Sequence, residues 1–221
     1  MEVYDDLELA EEMHQLLIRR VGEMTGQRSD GIHLTQLIYC LTSSYWTKTA
    51  PLAFTKEAAL TMGLGVALEH LLIPEEMRAK PGVCEGIEYS PDFWFRGEIP
   101  CELKTTRMSS KKTHTRELPE TWLQQVKGYC YAEGKLEYRL GIVHLLGAYR
   151  PPFPEILALK FHFTQRELQD NWDYLLWRKA IYTQALANGQ PPVPGKWCQD
   201  WECKWCRYAK SKIHCNLVGE K

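Results

Sequence analysis

The chain has 221 residues, a formal net charge of −1 and 25% charged residues, values that are typical of a folded globular protein and exclude a disordered one. With so little net charge, a nucleic-acid partner would have to be held by a local basic patch. No apolar run reaches 18 residues and the first twelve residues are acidic, so we expect no membrane partner, no signal peptide and no transit peptide. A cytoplasmic location follows as an expectation.

Cysteines are unusually concentrated at the end of the chain. Four of the eight lie in the last 24 residues, spaced Cys-x4-Cys-x2-Cys-x8-Cys from Cys198 to Cys215. Disulfides are rare in the cytosol, so this density indicates a bound metal. The tail has no apolar periodicity of its own, and we expect the metal to order it.

The hydrophobic periodicity divides the chain into alternating helical and extended segments. Helical spacing predicts helices over 5–24, 33–46, 55–72, 119–134 and 164–189. Strand-like runs occupy 86–95, 98–106, 138–149 and 155–163. The last helix opens with a Thr-x-x-Glu capping box at Thr164 and ends at Gly189.

This order of elements predicts an α/β fold with a small mixed sheet flanked by helices. We expect one domain over 1–221, with a helical extension over 1–30, a core over 31–190 and a Cys-rich tail over 191–221. The Pro-rich segment 190–195 would be a stiff linker between core and tail.

The two strands around Gly97 carry charged side chains that could meet. Glu102 and Lys104 lie two residues apart and therefore share one face of a strand. If a three-residue loop centred on Gly97 joins the strands, Asp92 lies directly opposite Glu102, with Cβ atoms about 5 Å apart. A two-residue loop would put the two carboxylates on opposite faces, so the hypothesis depends on an odd loop.

Two facing carboxylates need a cation, and Lys104 supplies one fixed charge only. A hard ion such as Mg²⁺ or Mn²⁺ suits these oxygen ligands. Carboxylate-bound metal beside a lysine is typical of phosphodiester hydrolysis, in which the lysine orients water or stabilises developing charge. The alternative is an exposed hairpin with a weak surface ion pair.

Three further features favour a site. His70 ends the helix before the strands, and imidazole suits Mn²⁺. Gln125 and Tyr129 are four residues apart, on one helical face. The segment after the second strand is the most basic in the chain and would clamp phosphates, through Arg107, Lys111, Lys112 and Arg116.

Taken in order, these residues resemble the RecB-like branch of the PD-(D/E)XK nucleases. The motif comprises His70, Asp92, Glu102-Leu103-Lys104 and Gln125-x-x-x-Tyr129. The resemblance extends from about residue 35 to 215 and implies a restriction-endonuclease-like core. It implies one or two Mg²⁺ or Mn²⁺ ions at His70, Asp92, Glu102 and the backbone carbonyl of Leu103. It also implies that Lys104 is the catalytic lysine, with Gln125 and Tyr129 positioning DNA or the lysine.

The cysteines resemble those of the branch that carries an iron–sulfur cluster, which includes the CRISPR-associated exonuclease and AddB-type and phage nucleases. The resemblance implies a 4Fe–4S cluster at Cys40, Cys203, Cys206 and Cys215. A zinc ion held within the tail, with Cys198 as the fourth ligand, is the alternative.

The function expected from the resemblance is a metal-dependent exonuclease acting on single-stranded DNA or DNA ends. It could serve CRISPR spacer acquisition or the recombination and repair of phage and mobile-element DNA, with an integrase or helicase as partner. A non-catalytic DNA-binding module is the alternative, and a zinc-ribbon adaptor would be a third possibility.

Overall fold

The computed structural model describes residues 7–25, 29–151, 153–194, 196, 198–209 and 214–215, so parts of the predicted N-terminal extension and tail lie outside the described residues. The chain divides into two compact units. The helical unit comprises residues 1–30 and 53–76, and the sheet unit comprises residues 31–52 and 77–221. None of the described helices is both long enough and apolar enough to cross a membrane.

Eight α-helices and six strands are present in the described residues. The helices are α1 (Leu7–Thr25), α2 (Leu34–Ile38), α3 (Leu41–Thr49), α4 (Lys56–Leu72), α5 (Ser110–His114), α6 (Glu120–Ala132), α7 (Gln165–Asn188) and α8 (Asp200–Trp205). The strands are β1 (Gly82–Cys84), β2 (Ile87–Tyr89), β3 (Phe93–Phe95), β4 (Ile99–Thr106), β5 (Glu137–His144) and β6 (Glu155–His162).

The helical unit is a pair of helices, α1 and α4. They approach closely at Gly63, where an added Cβ would lie 3.1 Å from the side chain of Val21. Thr55 begins α4, because its hydroxyl accepts a hydrogen bond from the backbone N–H of Ala58 at 3.2 Å. An ion pair between Lys56 and Glu11 also joins the two helices.

A four-stranded mixed sheet in the order β3-β4-β5-β6 forms the centre of the sheet unit. β4 and β5 run parallel and the other two pairs are antiparallel. A parallel pair needs a long crossover connection, and α6 provides it here. The mixed α/β fold predicted from the order of elements is therefore present.

The main core lies between α2, α6 and α7. Its buried members include Leu34, Val126, Trp172 and Leu175. The capping box predicted at Thr164 is present, with Glu167 as the reciprocal partner. The helix α7 ends at Asn188, and the next residue, Gly189, adopts the left-handed conformation.

Three predicted elements are wrong in their bounds, one of them the strand expected over 138–149, which ends at His144. The single helix expected over 33–46 is broken between α2 and α3, where the buried guanidinium of Arg178 donates to the carbonyls of Leu37 and Tyr39. The strand expected over 86–95 is broken at Pro91, and its first half pairs with β1 instead of joining the sheet. Proline has no N–H to donate to a ladder.

Gly128 on α6 tests the tightness of the core. A Cβ at this position would lie 2.6 Å from Leu34 and 3.2 Å from Leu175. Gly128→Ala should therefore cost about 1–3 kcal/mol through overpacking, whereas Gly65→Ala, in α4 with open space around it, should gain up to about 1 kcal/mol in helix propensity. Thermal unfolding followed by circular dichroism checks both; a higher melting temperature for Gly128→Ala would contradict the packing.

Candidate active site

The pairing of β3 with β4 sets the geometry of the site. Phe95 lies opposite Ile99, so a three-residue turn centred on Gly97 joins the strands, as the hypothesis required. Gly97 has a φ of 75°, which glycine adopts without strain. The backbone N–H of Asp92 donates to a β4 carbonyl at 3.0 Å, and this register brings Asp92 beside Glu102.

Asp92 is fixed by the backbone of the neighbouring strand. Its Oδ2 accepts a hydrogen bond from the N–H of Leu103 at 2.7 Å. The carboxylate of Asp92 is thus held at the peptide between Glu102 and Lys104. Charge-assisted hydrogen bonds of this kind orient a carboxylate strongly.

Glu102, Lys104 and Gln125 form a closed hydrogen-bonded triangle. Lys104 Nζ donates to Glu102 Oε1 at 2.5 Å and to Gln125 Oε1 at 2.8 Å. Gln125 Nε2 donates to the same Glu102 oxygen at 2.8 Å. Glu102 and Gln125 are only 4% and 3% exposed, so the alternative of a solvated surface ion pair is wrong.

The helix α6 supplies the cover for this triangle. Gln125 and Tyr129 occupy one face of α6, as predicted, and Gln125 Nε2 also donates to Tyr129 Oη at 2.9 Å. Both side chains are buried. The amide of Gln125 therefore links the lysine, the carboxylate and the phenol, and it holds Lys104 in one orientation.

The charges of the triangle depend on one another. Burial alone would lower the pKa of Lys104, but the charge and hydrogen bond of Glu102 outweigh it and raise that pKa above its usual value. Tyr138, fully buried on β5, has its pKa raised well above the usual value by burial and then by the Glu102 charge. Lys104 is thus a cation at neutral pH and Tyr138 a neutral phenol.

The site's own oxygen atoms suit a hard metal ion. The carboxylates of Asp92 and Glu102 and the peptide carbonyl of Leu103 are oxygen donors, and Mg²⁺ commonly uses one or two carboxylates with waters and substrate phosphates. His70 is an exposed residue of α4 in the helical unit, and its role as a ligand stays a prediction. In the described ranges, no three His, Cys, Asp or Glu side chains form a group able to hold a metal.

The basic segment, residues 107–116, leaves the end of β4. Its four predicted phosphate ligands are all exposed: Arg107, Lys111, Lys112 and Arg116. Part of the segment is helical rather than a loop, because Ser109 caps α5. The buried His144, which the sequence analysis did not identify, ties the segment to the sheet through Met108 O at 2.9 Å and Thr113 Oγ1 at 3.0 Å.

Cysteines from distant parts of the chain approach each other at the start of α3. Cys198 Sγ lies 3.4 Å from Cys203 Sγ, and Cys206 Sγ lies 3.8 Å from Ser43 Oγ. None of the eight cysteines forms a disulfide. Burial raises the pKa of Cys198, as do its neighbours Cys203 and Cys40. Among the described residues, these thiols are not part of any group of three side chains able to hold a metal ion.

The tail is also attached by groups other than thiols. Glu202 Oε2 accepts a hydrogen bond from the backbone N–H of Cys40 at 2.8 Å. The indole of Trp46 donates to the carbonyl of His214 at 2.8 Å, next to Cys215. Cys40, Cys198 and Cys203 therefore lie near one another, Cys206 lies beside Ser43, and Cys215 follows His214, which contacts Trp46.

No protein-family model and no curated protein matches the sequence. Among solved structures, the protein SSO0001 is 16% identical with a TM-score of 0.56, covering 91% of this chain and 94% of that one. An alkaline exonuclease from Laribacter hongkongensis is 8% identical with a TM-score of 0.50, covering 72% and 90%. A phage-related exonuclease from Haemophilus somnus 129PT is 10% identical with a TM-score of 0.46, covering 76% and 100%. The chain thus shares its fold with SSO0001 and the alkaline exonuclease.

The buried ion pair makes a prediction about stability. Lys104→Met leaves Glu102 as a buried charge without its cation, which should cost about 3–5 kcal/mol. The double variant Glu102→Gln with Lys104→Met removes both charges and should recover most of that loss. Denaturant unfolding of the two single variants and the double variant measures the coupling; additive effects would show that the pair is not buried as a unit.

Proposed function

We propose that the protein is a metal-dependent DNA nuclease that hydrolyses phosphodiester bonds. The observation that carries this proposal is the β3–β4 register, which sets Asp92 beside Glu102 on the strand that also carries Lys104. Two carboxylates and a buried, oriented lysine are the groups that this chemistry needs. The fold shared with an alkaline exonuclease supports the same function.

The residues of the chain have separate roles in this proposal. Asp92, Glu102 and the Leu103 carbonyl would hold Mg²⁺ or Mn²⁺, with His70 as a further ligand. The ion would polarise the phosphate and activate water. Lys104 stabilises the charge that develops on the phosphate oxygens, because it is a fixed cation in a water-poor site. Gln125 and Tyr129 keep the ammonium in place for that role.

DNA is the substrate that the surrounding surface favours. The basic segment starts where β4 ends, so its exposed cations directly follow Glu102 and Lys104 in the sequence. Cations on the path of the backbone neutralise phosphates and release counterions. We propose an exonuclease on single-stranded DNA or DNA ends, serving either CRISPR spacer acquisition or phage and mobile-element DNA processing, with an integrase or helicase as partner.

Cleavage assays test the proposed chemistry. Purified protein should degrade DNA with Mg²⁺ or Mn²⁺ and stop when EDTA removes the ion. Lys104→Met should lower the rate at least about a hundredfold, because it removes a charge that acts on the transition state. Glu102→Gln should do the same through loss of a ligand.

Controls separate chemistry from folding in this assay. Lys160→Met changes an exposed lysine of β6 and should cleave normally. The double variant of Glu102 and Lys104, which should fold well, should remain inactive. A folded Lys104→Met protein that cuts at the wild-type rate would contradict the assignment and favour the alternative, a DNA-binding module without catalysis.

We also propose that the cysteines hold a 4Fe–4S cluster, with a structural zinc ion as the alternative. Cys203, Cys206 and Cys215 would supply three ligands, and either Cys40 or Cys198 the fourth. The short distance between Cys198 and Cys203 makes Cys198 a stronger candidate than its position in the sequence indicated. A metal at this place would join the tail to the start of α3.

Protein purified without oxygen should be brown if it carries the cluster and colourless if it carries zinc. Cys40→Ser and Cys198→Ser identify the fourth ligand, because only the ligand variant should bleach the protein and lower its melting temperature. Cys84→Ser, on β1 and outside the tail, is the matched control. Iron and zinc analysis of each protein completes the test, and a metal-free stable tail would contradict both forms of the proposal.

A further inference from the structure

A cavity of about 790 Å³ opens between the basic segment, the start of α6 and the tail. Its volume lies within the range of pockets that bind small ligands. Aromatic rings from three separate parts of the sheet unit line it: Tyr39, Trp122 and Tyr149. No residue of the Glu102–Lys104–Gln125 triangle lines it, so it is a separate feature from the proposed catalytic centre.

Two rings of the cavity, those of Trp122 and Tyr149, have anchoring contacts and keep accessible area. Trp122 is half-buried and packs with one side against the small core cluster around Leu140. Tyr149 is 62% exposed, and its hydroxyl donates to the carbonyl of Arg107 at 3.2 Å. The backbone carbonyl of Tyr39 accepts a hydrogen bond from Arg178 at 2.5 Å. Rigid, accessible aromatic faces lose little entropy when a flat group stacks on them.

The charges of the cavity indicate the kind of ligand. Lys112 of the basic segment lines it beside the aromatic rings. The carboxylate of Glu117, also in the lining, accepts a hydrogen bond from Thr115 at 2.9 Å. Aromatic faces next to an exposed cation are the combination with which proteins bind unpaired bases and their phosphates.

The cavity also borders the catalytic centre through one residue. Tyr39 lines the cavity and lies close enough to Lys104 to interact with it electrostatically.

We propose that this cavity is a subsite for an unpaired nucleotide of single-stranded DNA, with its base on Trp122 and Tyr149 and a phosphate at Lys112. The subsite deepens the proposed nuclease function and rests on it for its biological meaning. Bases in a duplex are stacked on each other and cannot offer their faces to these rings. The subsite thus selects single strands over duplex DNA without reading their sequence.

Binding measured in EDTA tests the subsite independently of cleavage. The probe is a single-stranded thymine oligonucleotide of about 12 nucleotides, and a set of such probes carries one 2-aminopurine at successive positions. Each single strand should bind more tightly than the corresponding duplex. The fluorescence of the single strand should fall when the 2-aminopurine occupies the subsite, because stacking quenches that base. Trp122→Leu and Tyr149→Leu should each weaken binding at least about fivefold and abolish the position-specific quenching.

Three variants act as controls. Trp122→Phe keeps an aromatic face and should retain most of the affinity. Tyr149→Leu changes an exposed side chain, so it tests the subsite even if Trp122→Leu unfolds. Trp177→Leu removes an exposed tryptophan of α7 outside the cavity and should bind normally.

The outcomes distinguish the subsite from the nuclease proposal. Unchanged affinity and quenching in both leucine variants, or equal affinity for duplex and single strand, would overturn the subsite even if the protein cleaves DNA. Ring-dependent binding by a protein that never cleaves would support the subsite and overturn the proposed catalysis.

Discussion

The pairing between β3 and β4 is the constraint on which the candidate site depends. Side chains alternate along a strand, so a shift of one residue would turn Glu102 and Lys104 away from Asp92. The three-residue turn sets the register without that shift. Gly97 lies at the centre of this turn, and glycine adopts the required positive φ without strain. The Leu103 N–H then completes the arrangement by holding the Asp92 carboxylate. One turn therefore determines whether the acidic residues form a site or two unrelated surface charges.

Burial changes what these charged groups can do. On a surface, a lysine and a glutamate two residues apart contribute little. Under α6 they are a coupled pair whose orientation is set by the amide of Gln125. The desolvation of such a pair is costly, and a protein that needed only stability would do as well with apolar side chains here. The burial of this pair is therefore weak evidence that it serves stability.

Local patterns predicted much of the structure because they depend on neighbouring residues. The capping box at Thr164 and the stop at Gly189 follow from short-range rules, and both are present. The hairpin register depended on a turn length that the sequence left open, and the structure has the three-residue turn. The Gln125–Tyr129 face also followed from helical spacing.

What the sequence could not show depends on residues far apart in the chain. The carbonyls of Leu37 and Tyr39 at the break between α2 and α3 accept hydrogen bonds from Arg178, which is more than 130 residues away in the sequence. In the sequence, Tyr138 and His144 look like ordinary residues of an apolar strand. Only the structure shows that Tyr138 lies near the Glu102 charge and that His144 bonds to the carbonyl of Met108. Tyr138 shares a face of β5 with Leu140, and only the observed pairing of Leu140 with Glu102 shows that this face lies at the site.

The tail is attached through Glu202 and also forms part of the cavity wall. Gln199, at the start of α8, is part of the cavity wall, and Glu202 of the same helix is held by the backbone of Cys40, next to Tyr39. Lys104, Glu102 and Gln125 are held by β4 and α6 instead. A detached tail would thus leave the Glu102–Lys104–Gln125 triangle in place and remove one side of the cavity. Loss of this attachment would therefore change the shape of the cavity before it disturbed the hydrogen bonds of the triangle.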